Sequence, residues 1–197
     1  SFLTSGDEQI MILVDSYLDV GLPGVGISTT LAVGFGVGIW LVLPLTMMWV
    51  LVLTKWCVIG VFEEGTYIAG TWGWVQYAVY ANLFAGNRLS FRNQMGGTFL
   101  EPWIYRTMGA TIGSRVHLDG ANLWEPDLIT IGNDCTMLFR STAAPHNIMI
   151  DRVPIKSVTI GNGSTVAYHS CLHGGDTMEA GSTLEAMSQP FIGTTLT

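Results

Sequence analysis

The chain has 197 residues, of which 12% are charged, and a mean hydropathy of +0.42. Soluble globular domains carry about 25% charged residues, so the deficit indicates a part embedded in a bilayer. The formal net charge of -7 excludes nucleic acid as an expected partner, because phosphate binding needs clustered Lys and Arg. The three cysteines are scattered without a CxxC pair, which favours free thiols.

The N-terminal segment 8–20 has the spacing of a short helix. Glu8, Asp15 and Asp19 fall on one face of a helix with 3.6 residues per turn. The segment is too short to cross a bilayer, which takes about 20 residues. We interpret residues 1–24 as an interfacial helix and linker that lies on the membrane or binds a partner subunit. An ordinary core helix is the alternative.

An apolar run without any charge occupies residues 31–53. A helix of this length rises about 35 Å, enough to cross a hydrocarbon core of about 30 Å. The run predicts a transmembrane helix within 25–55, with the lipid bilayer as a partner. Gly34 and Gly38 form a GxxxG motif that would let a helix of another membrane subunit approach closely.

Basic residues follow this span, and none precede it. Lys55, Arg88 and Arg92 lie on its C-terminal side. The positive-inside rule therefore predicts an integral membrane protein whose C-terminal domain faces the cytosol, or the matrix or stroma of an organelle.

The juxtamembrane segment 56–98 is rich in aromatic residues. We predict that 71–85 form a helix that lies on the membrane or dips into it. Amphipathic rings of this kind are typical of the headgroup level. The rings assigned to this belt are Trp56, Trp72, Trp74, Tyr77, Tyr80 and Phe84.

Apolar residues recur every six positions in the C-terminal part of the chain. Six residues make one flat side of a triangular coil, and three sides make one turn, so that stacked turns bury a narrow core. The step predicts a left-handed parallel β-helix over 99–197, with an irregular antiparallel β domain as the alternative. The apolar positions that keep the step without a break are Ile160, Val166, Leu172, Met178 and Leu184. Two further pairs keep the same six-residue step in other registers: Ile112 with Leu118, and Ile131 with Met137.

One segment, 138–157, breaks the six-residue step and is predicted to loop out of the coil. Such loops carry function more often than the scaffold does. His146 lies in this segment, Asp151 and Arg152 follow it, and Glu125 precedes it on a neighbouring turn.

Several stretches, in order and spacing, resemble a known family. They include FLEPWIYRTMGATIGSRVHLDG at 99–120, EPDLITIGNDC at 125–135 and VTIGNGSTV at 158–166. From Lys55 to about Gly193 the chain resembles the terminal membrane domain of nonribosomal peptide synthetases of the ε-poly-lysine synthetase type. The resemblance implies membrane helices that alternate with hexapeptide-type domains, which join an activated aminoacyl group to an amine. The chain departs from the family in having no adenylation or carrier domain and only one soluble domain.

The same resemblance implies a catalytic role for His146. Hexapeptide acyltransferases commonly use a loop histidine as general base, because neutral imidazole suits that role near pH 7. Asp151 and Arg152, or Glu125, are the residues expected to orient it. An exposed loop histidine is the alternative. No cofactor is expected, and no cofactor-binding residue is identified.

The string from Tyr168 to Gly174 resembles the metal motif of γ-class carbonic anhydrases, which are also left-handed β-helices. In that family two histidines lie five residues apart and a third comes from a neighbouring turn. Here His169 and His173 lie four apart, so a three-histidine zinc site that included His146 would be incomplete. We therefore expect no metal.

Two functions remain open from the sequence. The first is a membrane-anchored acyl- or aminoacyltransferase-like protein. The second is a non-catalytic accessory or scaffold subunit of a larger membrane complex, for example an organellar energy-converting complex, which would bind other subunits through 8–20 and 31–53. A degenerate carbonic anhydrase-like protein is a third possibility. The missing activating domain favours the scaffold, and the loop histidine favours the enzyme.

Overall fold

A computed structural model describes residues 36, 38, 42, 45, 46 and 48–197, without the side chains of 87–94. Residues Pro44–Thr197 form one compact unit. The predicted interfacial helix 8–20 and most of the apolar run 31–53, with Gly34 of the GxxxG motif, lie outside the described residues. In the part of the chain that is described, no helix is both long and apolar enough to cross a membrane.

The helical residues 48–54 continue as a π-helical turn over Lys55–Ile59 and present two different faces. One face is buried in the core of the compact unit and carries Met48, Leu51 and Val52. The other face is exposed, with Trp49 at 49% and Leu53 at 59%. The C-terminal end of the predicted span is therefore a packing element of the compact unit.

Strand β1 (Gly65–Ile68) and helix α1 (Trp72–Met95) come next, followed by helix α2 (Leu100–Thr107). The helix predicted over 71–85 is confirmed as the first part of α1. The predicted aromatic belt is wrong for three of its rings, because Tyr77, Tyr80 and Phe84 are buried in the protein core. Both tyrosine hydroxyl groups find hydrogen-bond acceptors there, which removes the cost of burial. The indoles of Trp56, Trp72 and Trp74 remain exposed.

The following strands build a coil with three sides, each of them a parallel sheet. The first side contains β2 (Thr111–Ile112), β5 (Ile129–Ile131), β9 (Val158–Ile160), β12 (Thr177–Met178) and β14 (Thr195–Leu196). The second contains β3 (His117–Leu118), β6 (Thr136–Met137), β10 (Thr165–Val166) and β13 (Thr183–Leu184). The third contains β4 (Asn122–Leu123), β7 (Thr142–Ala144) and β11 (Cys171–His173). The parallel β-helix is confirmed, and the antiparallel alternative is wrong for the coil.

The register of the coil follows the six-residue step. Ile160, Met178 and Leu196 stack on the first side at intervals of 18 residues, which is one turn of three six-residue sides. The five residues of the unbroken step are all buried, none of them more than 6% exposed. Ala143 continues the step from Ile131 and Met137 and is also fully buried, although its small side chain does not stand out in the sequence.

The excursion from the coil is shorter than predicted. Residues 138–144 stay in the coil, since the Leu138 N–H donates to the Val166 carbonyl and β7 pairs on both sides. The excursion therefore covers 145–157, and it contains β8 (Arg152–Ile155), which pairs antiparallel with β1. It leaves the coil across Gly174, where a Cβ atom would lie 2.0 Å from the Pro145 carbonyl oxygen.

Candidate active site

His146 and Glu125 meet at the point where the excursion leaves the coil. Glu125 follows β4 and begins the 3-10 turn Pro126–Leu128, and His146 forms an isolated antiparallel bridge with Ile155 in β8. The imidazole Nδ1 lies 2.7 Å from the Glu125 Oε1 atom. The Glu125 side chain is fully buried, and that of His146 is 12% exposed. A carboxylate in this position holds the imidazole ring in one orientation.

This pair has the arrangement of a general base. When Nδ1–H donates to the carboxylate, the lone pair of Nε2 is left for a substrate proton. Among the described residues, Nε2 has no hydrogen-bond partner. A carboxylate bound at Nδ1 also stabilises the imidazolium that forms when Nε2 takes up a proton.

Aromatic side chains enclose the pair. The Trp124 ring meets the imidazole edge-on at a centroid distance of 5.1 Å, and the Tyr77 ring does so at 6.1 Å. The Tyr77 hydroxyl donates to Glu125 Oε1 at 3.2 Å. Burial, with the Glu125 charge as the second cause, raises the pKa of Tyr77, so that its hydroxyl remains protonated and can donate. Sequence reasoning had placed Tyr77 at the membrane surface, so this contact was missed.

The turn that carries Glu125 is anchored by a second buried acid. Lys55 Nζ lies 2.9 Å from the carboxylate of Asp127, and the Phe62 N–H donates to the same carboxylate at 2.9 Å. Lys55 is fully buried. The positive-inside rule counts Lys55 as a basic residue at the membrane surface, but its charge is paired with Asp127 inside the protein. Gly109 leaves the space for this pair, because a Cβ atom there would lie 1.9 Å from Asp127 Oδ1.

Asp151 and Arg152 lie at the surface. The Arg152 Nε donates to Asp151 Oδ1 at 3.0 Å, and both side chains are more than half exposed. The pairing with Arg152 lowers the pKa of Asp151. Of the residues expected to orient His146, the structure brings Glu125 to the imidazole and places Asp151 and Arg152 against each other.

The remaining histidines are dispersed over the coil. His169 occupies a corner with a φ of 56° and meets the Phe139 ring edge-on. His173 lies on β11, and both of its ring nitrogens are buried without a hydrogen-bond partner in the described part of the chain. His117 lies on β3 and is exposed. Within the described residues, no three His, Cys, Asp or Glu side chains come together as metal ligands.

A small apolar cavity lies among the helices and the first turn of the coil. It is bounded by the helical residues 48–54, by α1, by α2 and by Asn122 of β4. Phe84 lines this cavity and also contacts the Trp124 ring at a centroid distance of 4.9 Å. The same Trp124 ring contacts the His146 imidazole, so two successive ring contacts connect the cavity lining with the base.

The 18-residue turn and the inward apolar residue on each side define a hexapeptide-repeat β-helix protein. Its sequence is similar to that of the delta-poly-L-ornithine synthetase of Acinetobacter baumannii (strain AB307-0294), with 25% identity over 170 residues. The match covers 83% of this chain and 12% of that synthetase, so the chain spans about an eighth of the relative's length. No protein-family model matches the sequence.

Three solved structures show a likeness at low sequence identity. One is a galactoside acetyltransferase in complex with coenzyme A, with 16% identity, a TM-score of 0.38, and coverage of 62% of this chain and 74% of that one. A maltose O-acetyltransferase from Clostridium difficile 630 has 13% identity, a TM-score of 0.32, and coverage of 72% and 90%. A hexapeptide-repeat-containing acetyltransferase from Vibrio cholerae has 9% identity, a TM-score of 0.35, and coverage of 62% and 91%.

Proposed function

We propose that this chain is a membrane-anchored acyl- or aminoacyltransferase that joins an activated acyl group to an amine. The observation that carries the proposal is the buried pair of His146 and Glu125, 2.7 Å apart, at the base of the excursion. Histidine with an orienting carboxylate is a recurring general base for acyl transfer. The name of the similar synthetase, which describes a polymer of ornithine, is compatible with an amine acceptor.

In the proposed reaction, His146 takes a proton from the acceptor and later gives it to the leaving group. As the acceptor nitrogen or oxygen attacks the carbonyl carbon of the donor, Nε2 of His146 takes its proton and the new bond forms. The bond between the carbonyl carbon and the leaving group then breaks, and the imidazolium returns the proton to that leaving group. Glu125 stabilises the imidazolium in the interval through its contact with Nδ1–H.

Membrane anchoring is part of the proposal. It is supported by the apolar run 31–53 and by the exposed aromatic rings of Trp49, Trp56 and Trp72 near the start of the compact unit. The left-handed sense of the coil and its cytosolic, matrix or stromal location are proposed on the resemblance and on the basic residues described above. The substrate would be amphipathic and would reach the site from the bilayer surface.

The scaffold function is supported by a different observation. An exposed apolar surface contains Leu45, Trp49, Leu53 and Trp103, with Trp49 and Trp103 in contact at a centroid distance of 6.3 Å. Surfaces of this kind mark sites for partner proteins or membranes. A neighbouring membrane subunit would bury these rings without any use of His146.

The test is a transfer assay with an ornithinyl thioester as donor and free ornithine as acceptor, in which the new amide is quantified by mass spectrometry. His146→Ala should lower turnover by about 10²–10⁴-fold, the usual contribution of a general base, without a change in the unfolding midpoint. His117→Ala is the matched control, since His117 is an exposed coil histidine remote in sequence from the excursion. Equal turnover of His146→Ala and the wild type would reject the transferase and favour the scaffold.

A further inference from the structure

A tyrosine pair on helix α1 contacts the turn that carries the Glu125 carboxylate. Tyr77 and Tyr80 lie one helical turn apart and are both buried. The Tyr80 hydroxyl donates to the main-chain carbonyl of Trp124 at 2.6 Å, and the Tyr77 hydroxyl donates to the side chain of Glu125 at 3.2 Å. The two hydroxyl groups thus bind adjacent residues, but one binds the backbone and the other binds the carboxylate that orients His146.

The Glu125 carboxylate depends on few donors. Its Oε1 atom accepts from both Tyr77 and His146, and its Oε2 atom is buried without a partner among the described residues. A buried carboxylate with so few hydrogen bonds is costly, and each donor both fixes its position and stabilises its charge. Of the donors that the described residues supply, removal of the Tyr77 hydroxyl would leave His146 alone.

We propose that Tyr77 is a positioning residue for His146. Its hydroxyl holds Glu125 Oε1 in place against Nδ1. The hydroxyl and the imidazole together stabilise the negative charge of the carboxylate. This inference rests on the proposed function of the pair. The Tyr77 ring is itself held, since it stacks on Tyr67 of β1 at a centroid distance of 5.5 Å and an interplanar angle of 27°. Strand β1 pairs with β8 of the excursion, so the residues that hold Tyr77 also hold the loop of His146.

The direction in which Tyr77 changes the proton affinity of His146 follows from a comparison of the neutral and the protonated imidazole. The hydroxyl bond to Glu125 is strongest when the carboxylate faces a neutral imidazole, because an imidazolium already compensates part of its charge. Tyr77 therefore favours the neutral, proton-accepting form of His146. The other polar groups around the pair are Tyr67 from β1, Tyr80 from α1, and Asp127, which is compensated by Lys55.

The test is the titration of His146 by ¹⁵N-resolved NMR in the full chain, with its signal assigned from the His146→Ala spectrum. Tyr77→Phe should raise the His146 midpoint by on the order of one pH unit, a tenfold change in proton affinity that corresponds to about 1.4 kcal/mol. Tyr80→Phe is the matched control. It removes a hydroxyl of another buried tyrosine one turn away, and it should leave the midpoint within a few tenths of a unit.

Two results would overturn the proposal: an unchanged midpoint in Tyr77→Phe, or equal shifts in Tyr77→Phe and Tyr80→Phe. If Tyr77→Phe does not fold, a fluorinated tyrosine placed at position 77 keeps the shape and strengthens the donor. This replacement should lower the midpoint, and a raised or unchanged midpoint would again contradict the inference. The titration needs no substrate. A correct NMR shift without transfer activity would therefore reject the transferase and leave the positioning role intact.

Discussion

Lys55 and Asp127 form a buried ion pair that ties the π-helical turn at the start of the compact unit to the turn that carries Glu125. Their charged groups lie 2.9 Å apart, and the side chains are 0% and 8% exposed. Lys55 Nζ also lies 3.6 Å from the centroid of the Trp56 ring. The pair joins two residues 72 positions apart in sequence at the turn that follows Glu125.

Loss of one member of this ion pair should destabilise the protein strongly. Lys55→Met leaves the Asp127 carboxylate buried and unpaired, which costs about 3–5 kcal/mol of unfolding free energy. Urea unfolding of the purified chain measures this loss. Lys55→Met combined with Asp127→Asn should recover part of it, because the amide oxygen can still accept from the Phe62 N–H. Arg115→Ala, which breaks an exposed pair with Asp134, is the control and should have no measurable effect. Equal losses in Lys55→Met and Arg115→Ala would contradict the assignment.

The stability of the protein should fall as the pH rises from about 4.5 to about 7, because of Glu101. Burial raises the pKa of this carboxyl to about 7, although the N–H groups of Gly120 and Gly97 donate to Oε2. Between the two pKa values the folded state retains a proton that the unfolded chain releases, so folding becomes less favourable by about 3 kcal/mol over this range. Below pH 4.5 the full contribution is present.

Glu101→Gln is the control for this pH dependence, since the amide cannot ionise and its oxygen can still accept from Gly120. Unfolding free energies at pH 5 and pH 8 should show the variant gaining on the wild type as the pH rises. Parallel pH profiles for the two proteins would exclude Glu101 as the source.

The register of the coil predicts different tolerance at inward and outward positions of edge strands. Leu172 on β11 is fully buried, so Leu172→Asp would place an unpaired charge in a core without room for water and should abolish folding. Thr183→Asp on β13 is the matched control, because Thr183 faces outward. Circular dichroism and thermal melting distinguish the two variants. A folded Leu172→Asp protein with an unchanged melting temperature would refute the register.

The three thiols should react with iodoacetamide at well-separated rates. Cys57 is exposed and should react first. Burial raises the pKa of Cys171 to about 11, so its thiolate at pH 8 is on the order of one part in 10³ and its alkylation should be slow. Cys135 is fully buried and should react only after unfolding. Peptide mass spectrometry follows each site, and early alkylation of Cys135 would contradict the packing of its turn.

Because Cys57 is expected to react first of the three thiols, its labelling can show which side of the membrane the C-terminal domain faces. In sealed vesicles, an impermeant maleimide should label Cys57 from the cytosolic, matrix or stromal side. Labelling from the opposite side would reject the proposed orientation. Cys135 is unsuited to this measurement because the folded protein protects it.

The coil could be predicted from sequence because each six-residue side contributes one inward apolar residue. Ile160, Val166 and Leu172 show this step directly. The start of the excursion was misplaced because Ala143, which fills the same inward position, does not differ visibly from a loop residue. Small inward residues carry no hydrophobic signal, although they keep the register.

Less of the candidate site could be predicted. His146 is a lone histidine in an interruption of the repeat, and Glu125 is one of the two acids named with it. Tyr77 was assigned to the headgroup region because an amphipathic ring suits both that region and a buried polar site. Its true contact spans 48 residues and depends on how α1 packs on the coil. The spacing of residues along the sequence does not predict how α1 packs on the coil.

The antiparallel pairing of β1 with β8 has a practical consequence for protein engineering. A shortened protein that begins at residue 99 would retain every turn of the coil, yet it would lack β1 and Tyr77, on which the excursion and the Glu125 carboxylate rest. A fragment whose repeats are complete would thus lose the contacts that support the candidate base. Chimeras that exchange specificity between related proteins should therefore move residues 44–197 as one cassette, with the recombination joint placed ahead of Lys55.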